Sequence, residues 1–193
     1  MLGACRRAAV VTEDGLQAQI MPDLKLVLKK EEIDQAVRAM ARRISDDYRD
    51  RELVMVGILN GAFIFLADLA RYLTIPVKID FVRLASYGSG TASSGTIRLT
   101  KELEIDAHDK DVLIVEDIVD TGETLAFLLD YIRSFRPASI EICAMINKHE
   151  RRETHVKVAY VGHTVEKGFL VGYGLDHAGN YRQLPAIYDL QIS

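Results

Sequence analysis

Residues 112–125 read VLIVEDIVDTGETL, an apolar run that leads into an acidic segment and then into the start of a helix. The run Val112–Val115 is uninterrupted, as is typical of a strand buried on both faces of a parallel sheet. A helix is predicted from about Gly122 to Arg133, because apolar side chains recur there at the spacing of one helical face. These side chains are Leu125, Leu128, Leu129 and Ile132. The segment therefore predicts one strand–turn–helix unit of an α/β protein.

The sequence on both sides of this unit repeats the alternation of apolar strands and amphipathic helices. The predicted strands span residues 53–59, 77–84, 96–100, 140–146, 158–161 and 169–171, and the predicted helices span residues 31–48 and 62–73. This order predicts an α/β fold with a mainly parallel, twisted sheet flanked by helices. In such sheets, ligands bind beyond the carboxyl ends of the strands, which is where the acidic segment lies.

Composition and charge narrow the class of protein. The 193 residues fit one domain, predicted as residues 21–193 after a loosely ordered extension of residues 1–20. The net charge of −4 gives no broad basic surface, so no nucleic acid is expected as a partner. No apolar run reaches the ~20 residues that span a bilayer, so no membrane partner is expected either. Cys5 and Cys143 are too few for a disulfide framework, and the cytoplasm is the expected location.

The acidic segment after the central strand is the most informative feature of the chain. Glu116, Asp117 and Asp120 crowd one strand end, where their mutual repulsion is unfavourable unless a cation or a polyhydroxyl ligand compensates it. Residues 120–124, DTGET, then open the helix. Glycine lets the backbone approach a ligand closely, and the free amides of a first helical turn bind anions. The segment therefore predicts a phosphate site beside carboxylates that could hold sugar hydroxyls or Mg²⁺.

A structural alternative for this turn is that Asp120 or Thr121 simply caps the helix, as such residues often do. Capping leaves the adjacent pair Glu116 and Asp117 unexplained. A Walker-type phosphate loop is a poor alternative, because the pattern GxxxxGK[ST] occurs nowhere in the chain.

Residues 115–125, VEDIVDTGETL, closely resemble the PRPP-binding signature of the type I phosphoribosyltransferase family, in which two acidic residues after an apolar strand precede a D-T/S-G-x-T turn. The resemblance extends from about Leu24 to the C-terminus and is best to the hypoxanthine-guanine branch. It implies the family fold, with a small hood region formed by the chain ends. It also implies purine salvage by transfer of the 5-phosphoribosyl group of PRPP to N9 of hypoxanthine or guanine. Mg²⁺ is the implied cofactor, and a homodimer or homotetramer the implied assembly.

The resemblance implies a ribose-phosphate site that surrounds the acidic segment. Its residues are Glu116, Asp117, Asp120, Thr121, Gly122, Glu123 and Thr124. The first two would hold the ribose hydroxyls, directly or through Mg²⁺, and the other five would hold the 5-phosphate. Asp120 would also be the general base near purine N7, a role that suits a carboxylate beside a departing proton. Glu123 departs from relatives that have a basic residue there, although its charge favours a helix N-terminus.

A second implied site binds pyrophosphate. Leu59-Asn60-Gly61 resembles the family's pyrophosphate loop, which contains a non-proline cis peptide. Relatives often carry Lys or Arg where Asn60 stands, so one direct charge on pyrophosphate is expected to be missing. Arg182 resembles the pyrophosphate-binding arginine. From the residues alone, the loop also fits an ordinary turn at a strand end, and Arg182 a solvated charge.

The implied lid begins at Ser86 and Tyr87. These residues open the stretch 86–95, SYGSGTASSG, which consists almost wholly of small residues and lies between two predicted strands. The resemblance makes this stretch a catalytic lid. Composition alone also fits a plain hairpin connection.

The implied base site draws on two later segments of the chain. Lys148 resembles the lysine that donates to purine O6, Phe169 the ring that stacks on the purine, and Leu170 the residue that offers backbone groups to the purine edge. Asp176 resembles a further Mg²⁺ ligand through water, which completes an implied metal set with Glu116 and Asp117. Without the resemblance, these residues fit a surface lysine, a core phenylalanine and a turn aspartate.

Three other functions remain open at this stage. The same chemistry could favour xanthine, which depends on contacts at purine C2. A pyrimidine-specific relative that regulates through RNA would want a basic surface, which the net charge of −4 does not favour. A non-catalytic nucleotide-binding module would not need Asp120, Lys148 and Arg182 together.

Overall fold

The structure is a computed structural model that describes residues 23–87 and 96–191. Strands and helices alternate through most of the chain. Their bounds are β1 (Leu24–Leu28), α1 (Lys30–Asp47), β2 (Leu53–Leu59), α2 (Phe63–Tyr72), β3 (Val77–Tyr87), β4 (Thr96–Lys101), β5 (Asp111–Val119), α3 (Glu123–Arg133), β6 (Ser139–Lys148), β7 (Tyr160–Val165), β8 (Leu170–Val171) and β9 (Ile187–Leu190). The main sheet has six strands in the order β4-β3-β2-β5-β6-β7. All its neighbouring pairs are parallel except β3 and β4, so the predicted mainly parallel sheet is confirmed.

Two buried clusters explain why the strands read as continuous apolar runs. Leu53 and Met55 of β2 belong to the cluster that contains the apolar faces of α1 and α2. Val54 and Val56, the alternate residues of the same strand, belong to the cluster that contains the apolar face of α3. Successive side chains of a strand point to opposite faces, so helices cover both sides of the sheet. Neither face of the central strands is left for polar residues.

The strand order places a topological switch point between β2 and β5. β3, which follows β2 in the chain, lies on one side of this central pair of strands. β6, which follows β5, lies on the other side. The loops after these two central strands therefore diverge at the same edge of the sheet, and such a crevice is where open α/β sheets bind ligands. These two loops carry Asn60-Gly61 and residues 120–124.

A second, antiparallel sheet has the order β1-β9-β8 and joins the two ends of the described chain. Neither β1 nor β9 is predicted from the sequence. The hood implied by the resemblance remains a prediction, although strands near the two chain ends do pair with each other.

Several boundaries differ from the sequence-based prediction. β5 runs to Val119 instead of ending at Val115, and the last strand of the main sheet is shifted to Tyr160–Val165. The predicted extension of residues 1–20 and residues 88–95 of the lid stretch lie outside the described residues. None of the helices in the part of the chain that is described is both long and apolar enough to cross a membrane.

Candidate active site

Glu116 and Asp117 lie inside β5 and not in a turn after it. The strand keeps its parallel pairing with β6 as far as Val119 and Asn147, so the acidic pair is held by the sheet itself. Both residues are only 8% exposed. Burial, and then the neighbouring Asp117 carboxylate, raises the pKa of Glu116 well above its ordinary value. A ligand that offers a positive charge or hydroxyl donors would relieve this unfavourable burial.

The turn between β5 and α3 needs glycine at its centre. Gly122 has a φ of +87°, a left-handed conformation that L residues rarely adopt. A Cβ atom there would lie 2.3 Å from the carbonyl oxygen of Thr154. Gly122 is also the N-cap residue of α3. The Thr121 hydroxyl accepts a long hydrogen bond from the N–H of Glu123, at 3.4 Å, so the capping alternative holds in a weak form for Thr121. The turn is shaped mainly by its glycine and by the segment packed against it.

The carboxylate of Asp120 has one oxygen without a partner. Its Oδ1 atom is buried and accepts no hydrogen bond from any described residue, although 31% of the side chain is exposed. The nearest cation is the ammonium of Lys148, at 3.7 Å from Oδ1, which is too long for a hydrogen bond. Buried polar atoms are rarely left unpaired in proteins. Oδ1 therefore keeps an acceptor capacity that no described residue uses.

Lys148 is buried at the end of β6, with 7% of its side chain exposed, so the surface-lysine alternative is wrong. Its ammonium lies 3.2 Å from Oε2 of Glu150. The hydrogen bond from Lys148 lowers the pKa of Glu150. The same Glu150 oxygen accepts from the backbone N–H of Gly168 at 3.4 Å. Glu150 thus connects the buried ammonium to the segment that carries Phe169.

Phe169 is 42% exposed, so it is not the core residue that its apolar neighbours suggest. Its backbone is fixed, because its N–H donates to Asp189 at 2.9 Å and its carbonyl accepts from the N–H of Leu190 at 2.8 Å. Its ring packs edge-to-face with the ring of His177, with ring centroids 5.2 Å apart. Leu170 follows as a buried residue of β8. An exposed aromatic ring on a fixed backbone suits stacking on a planar ligand.

The loop after β2 contacts both the acidic pair and the C-terminal segment. The peptide bond between Leu59 and Asn60 is cis, as the resemblance implied. A Cβ atom on Gly61 would lie 1.7 Å from Oδ2 of Asp117. A Cβ atom on Gly174 would lie 2.2 Å from the carbonyl oxygen of Gly61. The backbone at Gly61 therefore packs directly against the buried Asp117 carboxylate, and the backbone at Gly174 packs on Gly61.

We expect Gly61→Ala to damage the site because its Cβ has no room beside Asp117. The loop or the carboxylate must move, and displacements of about 1 Å can lower activity by about 100-fold. The expected result is a fall in kcat/KM of roughly 10- to 100-fold, measured beside thermal unfolding. An unchanged melting temperature would show that the loss of activity comes from the displaced site and not from a loss of folded protein. Normal kcat/KM in Gly61→Ala would mean that this contact is not needed.

Arg182 and Asp176 form an ion pair in the C-terminal loop. The guanidinium Nη2 lies 2.6 Å from Oδ1 of Asp176, and Nη1 donates to the carbonyl oxygen of Gly174 at 2.6 Å. Arg182 is linked through Gly174 to Gly61 of the pyrophosphate loop candidate, and its role with pyrophosphate remains a prediction. The guanidinium is engaged by Asp176, which does not fit the alternative of a solvated charge.

The three implied metal ligands are not assembled in one cluster. Within residues 23–87 and 96–191, no group of three or more His, Cys, Asp or Glu residues could hold a metal ion. Glu116 and Asp117 are adjacent, whereas Asp176 is paired with Arg182. Mg²⁺ is usually bound by one or two carboxylates together with waters and substrate phosphates. The buried pair therefore fits a Mg²⁺ ion that arrives with a phosphorylated substrate.

Ser86 and Tyr87 end β3, where the backbone pairs antiparallel with Ile97 and Thr96 of β4. Residues 84–87 of β3 extend beyond its last pairing with β2, which is at Arg83, and this extension pairs with β4. The structure gives no further account of the lid, because residues 88–95 lie outside the described part.

Two residues at the site were missed by the sequence analysis. Glu150 contacts the ammonium of Lys148, and Arg152 donates four hydrogen bonds around the ends of β5 and β6. Both lie in the charged run KHERRE, which reads as a solvated loop. The only signal was their closeness in sequence to Lys148.

Comparison with known proteins agrees with this geometry. The chain matches the phosphoribosyl transferase domain family over residues 25–178. It is 42% identical over 178 residues to a hypoxanthine-guanine phosphoribosyltransferase of Mycobacterium avium, and the match covers 88% of each chain. The structure is similar, with a TM-score of 0.83 and 36% identity, to a hypoxanthine phosphoribosyltransferase of Staphylococcus aureus, covering 86% of this chain and 91% of that chain. A hypoxanthine phosphoribosyl transferase of Trypanosoma cruzi, studied for the role of its C-terminal region in oligomeric state and activity, is similar with a TM-score of 0.81 and 37% identity. The match covers 86% of this chain and 91% of that chain.

The family match spans the switch point and both of its loops. It includes the cis peptide after β2, the buried acidic pair, the glycine-centred turn and Lys148. The resemblance seen in residues 115–125 is thereby confirmed over most of the chain. This chain belongs to the phosphoribosyl transferase family.

Proposed function

We propose that this enzyme transfers the 5-phosphoribosyl group of PRPP to N9 of hypoxanthine or guanine, giving IMP or GMP and pyrophosphate. One observation carries the choice of base. The buried Oδ1 of Asp120, which has no hydrogen-bond partner among the described residues, lies 3.7 Å from the buried ammonium of Lys148, so an acceptor and a donor lie side by side. A 6-oxopurine offers the matching groups side by side on one edge of the base, an N–H at N7 and the oxygen O6.

The base is held by three kinds of contact in this proposal. Lys148 donates to O6, and Asp120 accepts from the N–H at N7. The exposed ring of Phe169 stacks on the purine, and the backbone of Leu170 meets its edge. These contacts would orient N9 towards the sugar.

PRPP would occupy the crevice between the loops after β2 and β5. The hydroxyls of its ribose bind the buried pair Glu116 and Asp117. Its 5-phosphate binds in the turn of residues 120–124, where the first amides of α3 are free of helical partners. The proposed pyrophosphate residues are Asn60, Gly61 and Arg182, and Ser86 and Tyr87 are the proposed start of a lid that keeps water from the reaction.

The proposed reaction is a substitution at C1 of the ribose. Purine N9 forms a bond to C1 while the bond between C1 and the pyrophosphate oxygen breaks, and pyrophosphate leaves with the electron pair. Asp120 takes the proton that the purine loses. Arg182 stabilises the negative charge that develops on the leaving group. When bound, Mg²⁺ would supply further charge neutralisation to pyrophosphate, with Glu116, Asp117 and Asp176 as its proposed protein ligands.

We expect the reaction to require a divalent cation, with Mg²⁺ preferred. The acidic pair would otherwise face an anionic pyrophosphate group without charge compensation. Excess EDTA should abolish turnover, and added Mg²⁺ should restore it. Full activity in EDTA would contradict this role of the cation.

The proposal also covers assembly and location. A homodimer or homotetramer is expected, and light scattering after size-exclusion chromatography measures the mass directly. The cytoplasm is the proposed location, which the free, buried thiol of Cys143 favours.

The direct test of the proposed activity is the stoichiometry of the products. PRPP and hypoxanthine should give IMP and pyrophosphate in equal amounts, and ribose 5-phosphate in place of PRPP should give none. Release of pyrophosphate without nucleotide, or no reaction at all, would contradict the proposal.

A further inference from the structure

The guanidinium of Arg152 joins the carboxyl ends of β5 and β6. Its Nε donates to the carbonyl oxygen of Asp120 at 3.0 Å. Its Nη2 lies 3.1 Å from the carbonyl oxygen of Val119, 2.9 Å from that of Lys148 and 2.6 Å from Oδ1 of Asn147. One planar side chain thus contacts the last residue of β5, the residue that follows it, and the last two residues of β6.

Two of these four residues are the proposed base contacts. Asp120 faces the N7 side of the purine and Lys148 faces O6. Their side chains approach to 3.7 Å in the structure, while their backbone carbonyls share one guanidinium. Arg152 itself does not need to touch the base in order to set the spacing between them.

The segment after Arg152 also supports the phosphate turn. The N–H groups of Glu153 and Thr154 both donate to the carbonyl oxygen of Thr121, at 3.0 and 2.9 Å. Gly122 packs so closely on Thr154 that a Cβ would lie 2.3 Å from its carbonyl oxygen. The turn is therefore attached to the same segment that carries the guanidinium.

We propose that Arg152 is a positioning residue, which holds Asp120 and Lys148 at the separation that a 6-oxopurine requires. This inference rests on the proposed function. All four acceptors are neutral oxygens, so the role depends on the guanidinium's fixed fork of N–H groups and not on an ion pair. Lysine has the same charge but donates from a single atom, so it cannot reproduce the Nε contact to Asp120 together with the Nη2 contacts to Val119, Asn147 and Lys148.

The test compares Arg152→Lys with wild type, using hypoxanthine and adenine as bases and saturating Mg²⁺-PRPP. We expect KM for hypoxanthine to rise at least about 10-fold, because small misplacements of contact groups are costly. The preference for hypoxanthine over adenine should narrow as well. A merely structural role would lower kcat or the yield of folded enzyme while leaving KM and the base preference unchanged, and that result would overturn the proposal.

Two further variants make the result specific. Asn147→Ala removes one acceptor but keeps the arginine, and it should raise KM for hypoxanthine in the same direction by a smaller factor. Asn147→Ala therefore also tests the proposal if Arg152→Lys does not fold. An unchanged KM for hypoxanthine in Asn147→Ala would count against the proposal. Arg133→Lys is the matched control, because Arg133 is 64% exposed and pairs only with Asp130 in the described residues; it should match wild type.

Chemical rescue separates positioning from folding. Arg152→Ala should regain part of its lost kcat/KM in low, non-denaturing concentrations of guanidinium ion, whereas sodium at the same ionic strength should not help. Equal effects of the two ions would contradict the role of the guanidinium. An inactive wild-type enzyme would instead overturn the proposed function and this inference with it.

Discussion

Hypoxanthine should be used at least about 10⁴-fold more efficiently than adenine, when the two are compared by kcat/KM. An ammonium group can only donate hydrogen bonds, and adenine presents a donor at position 6 where hypoxanthine presents an acceptor. Lys148 is buried, with 7% of its side chain exposed, so water is poorly placed to replace the missing partner. Comparable kcat/KM values for the two bases would overturn the 6-oxopurine assignment.

Replacing Lys148 by glutamine tests which residue makes this distinction. A glutamine amide has an acceptor as well as donors, so it can meet either base. We expect kcat/KM for hypoxanthine to fall roughly 10- to 100-fold, the cost of a hydrogen bond to a charged group, and the preference over adenine to narrow. Lys157→Gln, an exposed lysine just before β7 at the opposite edge of the sheet, should change neither value. An unchanged preference in Lys148→Gln would remove Lys148 from the recognition site.

Asp120→Asn should lower kcat by roughly 10- to 1000-fold, because asparagine keeps the size of the side chain but cannot accept the proton. KM for PRPP should change far less. Thermal unfolding should change little, since Asp120 does not cap α3 and its Oδ1 atom accepts no hydrogen bond from the described residues.

The control for this substitution is Asp130→Asn, at an exposed position on α3 where the carboxylate pairs with Arg133. It should leave kcat unchanged. A well-folded Asp120→Asn enzyme with a kcat close to that of wild type would reject the general-base role.

The central strands could be predicted from the sequence because their signal is local. Residues 53–59 are apolar throughout and residues 140–146 are apolar except for Glu141, since helices cover both faces of the sheet. β1 and β9 could not be predicted in the same way. Each is short, and the pairing of Leu24 with Leu190 joins residues far apart in the chain, so only the folded protein brings the partners together.

The end of β5 shows where local propensity fails. Acidic residues are depleted in strands, so Glu116 and Asp117 read as a turn. The pairing of β5 with β6 as far as Val119 overrides that preference. The fold thereby buries two carboxylates whose burial is not apparent from the sequence.

The residues of the candidate site also differ in how far they could be predicted from the sequence. The turn of residues 120–124 was predicted as a phosphate site from its own residues, and that role remains a prediction. Lys148, Phe169 and Arg182 needed the family resemblance, because nothing nearby in sequence distinguishes a buried lysine from a solvated one. Arg152 was missed altogether, since all four of its acceptors are set by the tertiary fold and three are backbone carbonyls.

The most direct measurement of the central claim is a competition in one tube. The enzyme, Mg²⁺ and limiting PRPP are mixed with equal concentrations of hypoxanthine, guanine, xanthine, adenine and uracil, and the nucleotides formed are separated and counted. Nearly all PRPP should appear in IMP and GMP, with essentially no AMP or UMP. A product mixture dominated by AMP, UMP or XMP, or PRPP left unused, would contradict the assignment of this site to hypoxanthine and guanine.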